Sequence, residues 1–152
     1  MMDIRELSEK ADYIAEQHQR LQTQWKQYGN ALIQGITLAK ARLHHTIACT
    51  PGDGLRFFLF EHFAIRIQPG KGFNNHRIEY YLELADGSDK LLIGHANMDN
   101  DGRIDNAFSA RDREKVLTHY LELIQPIYDS LYLAVHENTP VSLARLQQAA
   151  VA

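Results

Sequence analysis

The chain has 152 residues, with 16 Lys+Arg against 19 Asp+Glu, a formal net charge of −3 and 45% apolar residues. Those values suit an ordinary soluble globular chain with one hydrophobic core; they exclude dominant disorder and a strongly basic nucleic-acid binder. One cysteine, Cys49, cannot close an internal disulfide, which points to a reducing cytoplasm. Neither a basic-then-apolar signal pattern nor a run of about 18 apolar residues is present, so neither secretion nor a membrane span is expected.

The first fifty residues lack proline, and Ile4, Leu7, Ala11, Ile14, His18, Leu21, Trp25, Tyr28 and Leu32 recur by threes and fours. That alternation predicts a long amphipathic helix whose narrow stripe faces another helix. After Leu32 the phase slips. Gly35 takes an apolar place, and Ile36, Ala39, Leu43 and Ile47 continue a new stripe, so residues 1–50 are expected to form a helical arm. Gly29 and Gly35 each weaken a helix by about 1 kcal/mol relative to alanine, which predicts a bend near residues 29–35 or two helices in series. The stripe could meet the chain's own C-terminal helix, a second copy in a homodimer through this helix, or another protein. Leu7, Ile14, Leu21, Trp25 and Tyr28 are the candidate partner-binding residues, since aromatics are enriched at interface centres. They are equally ordinary core residues.

Charge along this segment is uneven. Residues 3–16 carry five acids against Arg5 and Lys10, a net of −3, whereas residues 17–52 hold Arg20, Lys26, Lys40 and Arg42 and no acid. Helix-dipole electrostatics explains the ends but not Arg20 and Lys26. Together with His44 and His45, these four form a candidate stretch for contacts with phosphate or DNA.

Pro51-Gly52-Asp53-Gly54 predicts a loop. Residues 55–108 then read as an antiparallel meander of four to five strands. Leu55–Phe60 and Phe63–Ile67 are either a hairpin or one bulged strand. His76–Leu84 alternates cleanly, with Ile78, Tyr80, Leu82 and Leu84 inward. Asp86-Gly87 turns into Lys90–Met98, and Asp101-Gly102 into a strand over Arg103–Phe108. Ser109 and Asp112 approximate a capping box before a helix carrying Val116, Tyr120, Ile124, Ile127, Tyr128, Leu131 and Val135, with a kink expected at Pro126. Thr139-Pro140 suits the start of a short last helix over Val141–Ala149. The fold class is α+β, with residues 1–152 as a single domain.

Chemical motifs are weak. Asn97, Asp99, Asp101, Gly102, Ile104 and Asp105 resemble a calcium loop, but Phe108 stands where the closing Glu belongs, and an Asp-Gly hairpin explains them more simply. His45 and Cys49 share a helical face at four-residue spacing without the further ligands zinc needs. Gly70-Lys71-Gly72 lacks the phosphate-loop spacing. Ala31 and Gly35 have helix-turn-helix spacing, yet Asn30 and Gln34 occupy places that should be apolar. Catalytic residues, a cofactor and a metal are not expected, so the chain does not read as an enzyme.

Numerous short strings carry a family resemblance. Ser8-Glu-Lys-Ala-Asp-Tyr-Ile14, Gln34-Gly-Ile-Thr-Leu38, Lys40-Ala-Arg-Leu-His-His45, Leu59-Phe-Glu-His-Phe63 and Gly72-Phe-Asn74 are among them. So are Ile78-Glu-Tyr-Tyr81, Arg111-Asp-Arg-Glu114, His119-Tyr-Leu-Glu122 and Tyr128-Asp-Ser-Leu-Tyr132. In this order and spacing they resemble the formate hydrogenlyase regulatory protein HycA family of enteric bacteria. The resemblance runs from about residue 8 to Pro140-Val141, and its specificity lies in the number of strings. It implies a cytoplasmic negative regulator of the formate regulon that opposes the formate-responsive transcriptional activator, with no enzymatic activity. The Ile4–Leu32 stripe with Trp25 and Tyr28, in an acidic chain, makes anti-activation by protein contact the expected mechanism; the alternatives are direct repression through DNA bound by residues 20–45 and sensing of formate or a metal by the sheet.

Overall fold

The computed structural model describes residues 3–50 and 54–151. A single helix, α1 (Ile4–Ala39), opens the chain and would be about 54 Å long at 1.5 Å per residue. Asp3 caps it, its carboxylate accepting from the amides of Arg5 and Glu6 at 2.8 and 3.0 Å. The helix runs through Gly29 and Gly35 without dividing, so the expectation of two helices in series is corrected, and Ala31–Gly35 hold no turn. Helix contacts explain the two glycines better than a break does. A Cβ on Gly35 would lie 3.2 Å from that of Leu117, and one on Gly29 would lie 3.7 Å from the Leu55 side chain.

Helical structure ends at Ala39, and the helical reading of residues 40–50 is overturned. Lys40 adopts a left-handed conformation (φ 56°) as the C-cap. The Tyr128 hydroxyl donates to the Leu43 carbonyl at 2.5 Å, pinning the connector against the C-terminal half of the chain. His45–Thr50 then form strand β1, where β-branched Thr46 and Ile47 suit a pleated surface.

Strands β2 (Gly54–Leu59), β3 (Phe63–Pro69), β4 (Arg77–Leu84) and β5 (Lys90–Asn97) follow β1 in one antiparallel meander, each pairing with its predecessor. Residues 54–69 are therefore a hairpin. Of the predicted loop, Pro51, Gly52 and Asp53 lie outside the described residues. Gly54 has φ +82°, and a Cβ there would fall 2.2 Å from the Ile67 carbonyl oxygen, so only glycine fits. The strand expected over Arg103–Phe108 is instead a miniature hairpin, β6 (Arg103–Ile104) with β7 (Phe108–Ser109), outside the main sheet. The fifth strand of the sheet is β1.

Helices α2 (Arg113–Glu137) and α3 (Leu143–Val151) complete the chain. Asp112 caps α2, accepting from the Lys115 amide at 3.3 Å, so the helix starts later than a Ser109 cap requires. Pro126 lies within α2, which continues past it. The start expected at Thr139-Pro140 is corrected: Thr139 closes α2 by donating its amide to the Ala134 carbonyl. Ser142 opens α3 through its hydroxyl, which accepts from Arg145 N–H at 3.2 Å. Val135, expected on the buried row, is exposed.

All three helices pack over one face of the sheet. Tyr28, Leu32, Phe57, Leu59, Ile65, Ile67, Tyr80, Leu82, Tyr120, Ile127 and Leu146 share a single core. Strand alternation sends the intervening residues to the opposite face, which no helix among the described residues covers.

Candidate functional site: the projecting half of α1 and the residues beyond it

The apolar stripe of α1 divides into two parts. From Gln24 to Ile36 it belongs to the body, with Tyr28, Ala31, Leu32 and Ile36 buried and Trp25 packed against the core. The Trp25 and Tyr28 rings stack at 5.7 Å. Tyr28 is wholly enclosed, and its hydroxyl meets that of Tyr80 at 2.7 Å. Burial drives its phenol pKa well above the ordinary range. The Gln24 amide donates to the Asn100 carbonyl at 2.7 Å, a second tie between helix and body.

Every residue from Asp3 to Glu16 is exposed. Ile4, Leu7 and Ile14 present 82%, 57% and 52% of their surface to solvent, although they continue the row that fills the core further along. His18, the polar interruption in the row, marks the boundary: its ring stacks on Phe73 at 5.3 Å. Of the five candidate partner-binding residues, Leu7 and Ile14 lie on the projecting arm, Leu21 is half-buried at its root, and Trp25 and Tyr28 serve the core. The arm is helical because it propagates from a turn already nucleated by packing, which removes the cost that makes an isolated helix of this length marginal.

The candidate phosphate-binding residues are not gathered into one patch. Arg20, Lys26, Lys40, Arg42 and His44 are exposed. Arg20 and Lys40, however, are separated by about 30 Å along the helix, and Lys26 is turned about 120° from Arg20. Arg20 lines an open cleft with Glu16, Asp101 and Arg111, where acids accompany the bases. His45 faces inward. Its Nε2 lies 3.2 Å from the Tyr120 hydroxyl, with Phe57 and Tyr128 around the ring. Burial lowers its pKa to about 4, so it is neutral at physiological pH.

The calcium-like segment uses its carboxylates on backbone. Asp99 accepts from the amides of Asp101 and Arg103, both at 2.9 Å, and Asp105 from that of Asn97 at 2.8 Å. A strand separates His45 from Cys49 by about 13 Å, so the pairing imagined on a helix face is lost. Among the described residues no group of three or more His, Cys, Asp or Glu is placed to hold a metal.

A feature invisible to motif searching lies on the open sheet face. Arg56 and Arg66 are directly opposite each other across β2 and β3, an arrangement that is repulsive alone. Glu83, only 2% exposed, resolves it: one carboxylate oxygen takes Arg56 Nε and the other takes Arg66 Nε at 3.1 Å. Arg56 also donates to the Ala85 carbonyl at 2.9 Å and lies over the Phe58 ring at 4.4 Å. Lys90 covers Tyr81 similarly, at 4.6 Å. Only the register of three strands reveals this cluster; each residue alone reads as an outward polar position.

The projecting half of α1 leaves an apolar stripe open to solvent, and a family model described as "Transcriptional repressor of hyc and hyp operons" matches residues 2–147, which puts the chain in a class of transcriptional regulators. The chain belongs to that family, the HycA repressors. It is 57% identical over 145 residues, 95% of each chain, to the formate hydrogenlyase regulatory protein HycA of Escherichia coli (strain K12). Identity and coverage are the same for proteins of that name from Escherichia coli O157:H7 and Shigella flexneri. No solved structure matches. The family is one of transcriptional regulators, and no helix among the described residues is long and apolar enough to cross a membrane.

Proposed function

We propose that this protein acts in the cytoplasm as an anti-activator, repressing the formate hydrogenlyase regulon by docking its N-terminal arm on the formate-responsive transcriptional activator. The observation carrying this reading is the exposure of Ile4, Leu7 and Ile14 on a helix whose other half is anchored in the core. An apolar helical stripe is an anchor for a partner's hydrophobic groove, with side chains spaced by three and four along one face. The dispersal of Arg20, Lys26, Lys40 and Arg42 supports protein contact over DNA, because duplex phosphates demand cations gathered along one surface.

Co-purification with the activator tests the reading. The parent chain and a Lys40→Glu/Arg42→Glu variant retain the activator, and a Leu7→Asp/Ile14→Asp variant loses it. Retention by the arm variant, or tight and steeply salt-dependent binding of promoter DNA lost in the Lys40/Arg42 variant, overturns the proposal in favour of direct DNA repression.

A further inference from the structure

Among the described residues, two surfaces are left uncovered by the rest of the chain, and they complement each other. One is the arm: residues 3–16 carry Asp3, Glu6, Glu9, Asp12 and Glu16 against Arg5 and Lys10, together with exposed Ile4, Leu7 and Ile14. The other is the open face of the sheet. Its central rungs, read from the strand register, are Phe58–Ala64–Glu83–Lys90 and Arg56–Arg66–Tyr81–Leu92. With Arg77 and Glu79 beside them, this face holds four cations against two carboxylates in a chain that is acidic overall. Phe58, Tyr81 and Leu92 provide apolar area between the charges, each only half-buried.

We propose that the arm of one copy lies across the open sheet face of a second copy, reciprocally, forming a two-fold symmetric dimer. Dimensions fit: the arm is about 20 Å long and five strands at about 4.8 Å spacing span about 19 Å. The charges match as well, acids on the helix meeting Arg56, Arg66 and Lys90 on the sheet. Pairing two arms with each other is the obvious alternative, but it places two net-negative helices side by side and leaves the cationic sheet face bare. The arm cannot reach its own sheet face, because α1 is continuous and its body half is fixed on the opposite face by Tyr28 and Gln24. A reciprocal arrangement closes under two-fold symmetry and so stops at the dimer.

This inference does not rest on the proposed anti-activator role, although both use Leu7 and Ile14, and self-association would compete with activator binding. Light scattering on the purified full-length protein, without activator, tests it through two variants. One alters the arm (Leu7→Asp/Ile14→Asp), and the other alters the sheet face (Tyr81→Asp/Lys90→Glu, or Lys90→Glu/Leu92→Gln if the first melts early). The parent is expected to be dimeric at low salt and to dissociate as salt rises. Each variant alone is monomeric with unchanged circular dichroism. Mixing them restores a dimer, since the intact arm of the sheet variant meets the intact sheet of the arm variant. A monomeric parent overturns the proposal; so does a dimeric sheet-face variant, which signals arm–arm pairing, or a mixture that remains monomeric. If only the dimer reading fails, the light-scattering pattern is lost while the parent and the sheet-face variant still co-purify with the activator; if only the anti-activator reading fails, the light-scattering pattern holds while neither co-purifies with it.

Discussion

The hydroxyls of Tyr28 and Tyr80 meet at 2.7 Å inside the core, 52 residues apart in the chain. Through this contact α1 is fastened to β4, the fourth strand of the meander, so the direction of the arm is set by the body rather than by a hinge. Replacing Tyr28 with Phe strands the Tyr80 hydroxyl in the core and is expected to cost about 1–3 kcal/mol. Replacing both tyrosines with Phe should cost less than the sum of the two single changes. Urea unfolding midpoints of the four proteins measure the coupling.

Glu83 is the counter-charge that lets Arg56 and Arg66 stand opposite each other. Glu83→Gln leaves two guanidinium groups facing without a carboxylate. Both arginines retain some solvent contact, so the expected loss is on the order of 2 kcal/mol, below the roughly 3–5 kcal/mol of a fully buried pair. High salt should partly rescue the variant, because the repulsion it exposes is reached by solvent ions. Denaturation at low and high ionic strength separates that effect from simple loss of packing.

His45 makes stability depend on pH. Its folded pKa of about 4 lies below the ordinary value of 6.5, so the unfolded chain binds the proton more readily. Stability is therefore fully present above about pH 6.5 and is lost as pH falls towards 4. His119, also lowered by burial, acts in the same direction. A His45→Phe variant is expected to flatten part of that slope between pH 6.5 and 4, as read from melting curves at successive pH values.

Gly54 occupies a position that no side chain can enter. Its φ is +82°, and an added Cβ would sit against the Ile67 carbonyl oxygen. Gly54→Ala should cost well over about 1 kcal/mol, the reverse of the gain this change brings in permissive backbone. A shift in the thermal midpoint is the readout.

On the arm the expectation is opposite. Leu7→Asp/Ile14→Asp alters side chains that are more than half exposed, so each substitution should change stability by no more than about 0.5 kcal/mol. Function should be lost nonetheless, as derepression of a reporter under the hyc promoter. A large drop in stability would show that these residues are structural.

Local patterning was enough to establish several elements. Period-two alternation over Ile78, Tyr80 and Leu82 marked β4, and the three-four spacing from Ile4 to Leu32 marked α1, because in each case side chains on one face must leave water together. The Asp-Gly turns at Asp86-Gly87 and Asp101-Gly102 followed from the positive φ that both glycines adopt. Patterning failed where a distant contact decides the outcome. Lys40 to His45 contain neither glycine nor proline, and nothing local announces that the helix stops there. It stops because Lys40 takes a left-handed conformation and Tyr128, 85 residues on, captures the Leu43 carbonyl. The apolar row of α1 gave no sign of where core ends and surface begins, since Leu7 and Leu32 are equally apolar and differ only in what packs against them. Net charge behaves in the same way. The −3 read at the outset is a sum that conceals an acidic arm and a cationic sheet face, and strand register, by putting Arg56, Arg66 and Lys90 on one side, is what separates them.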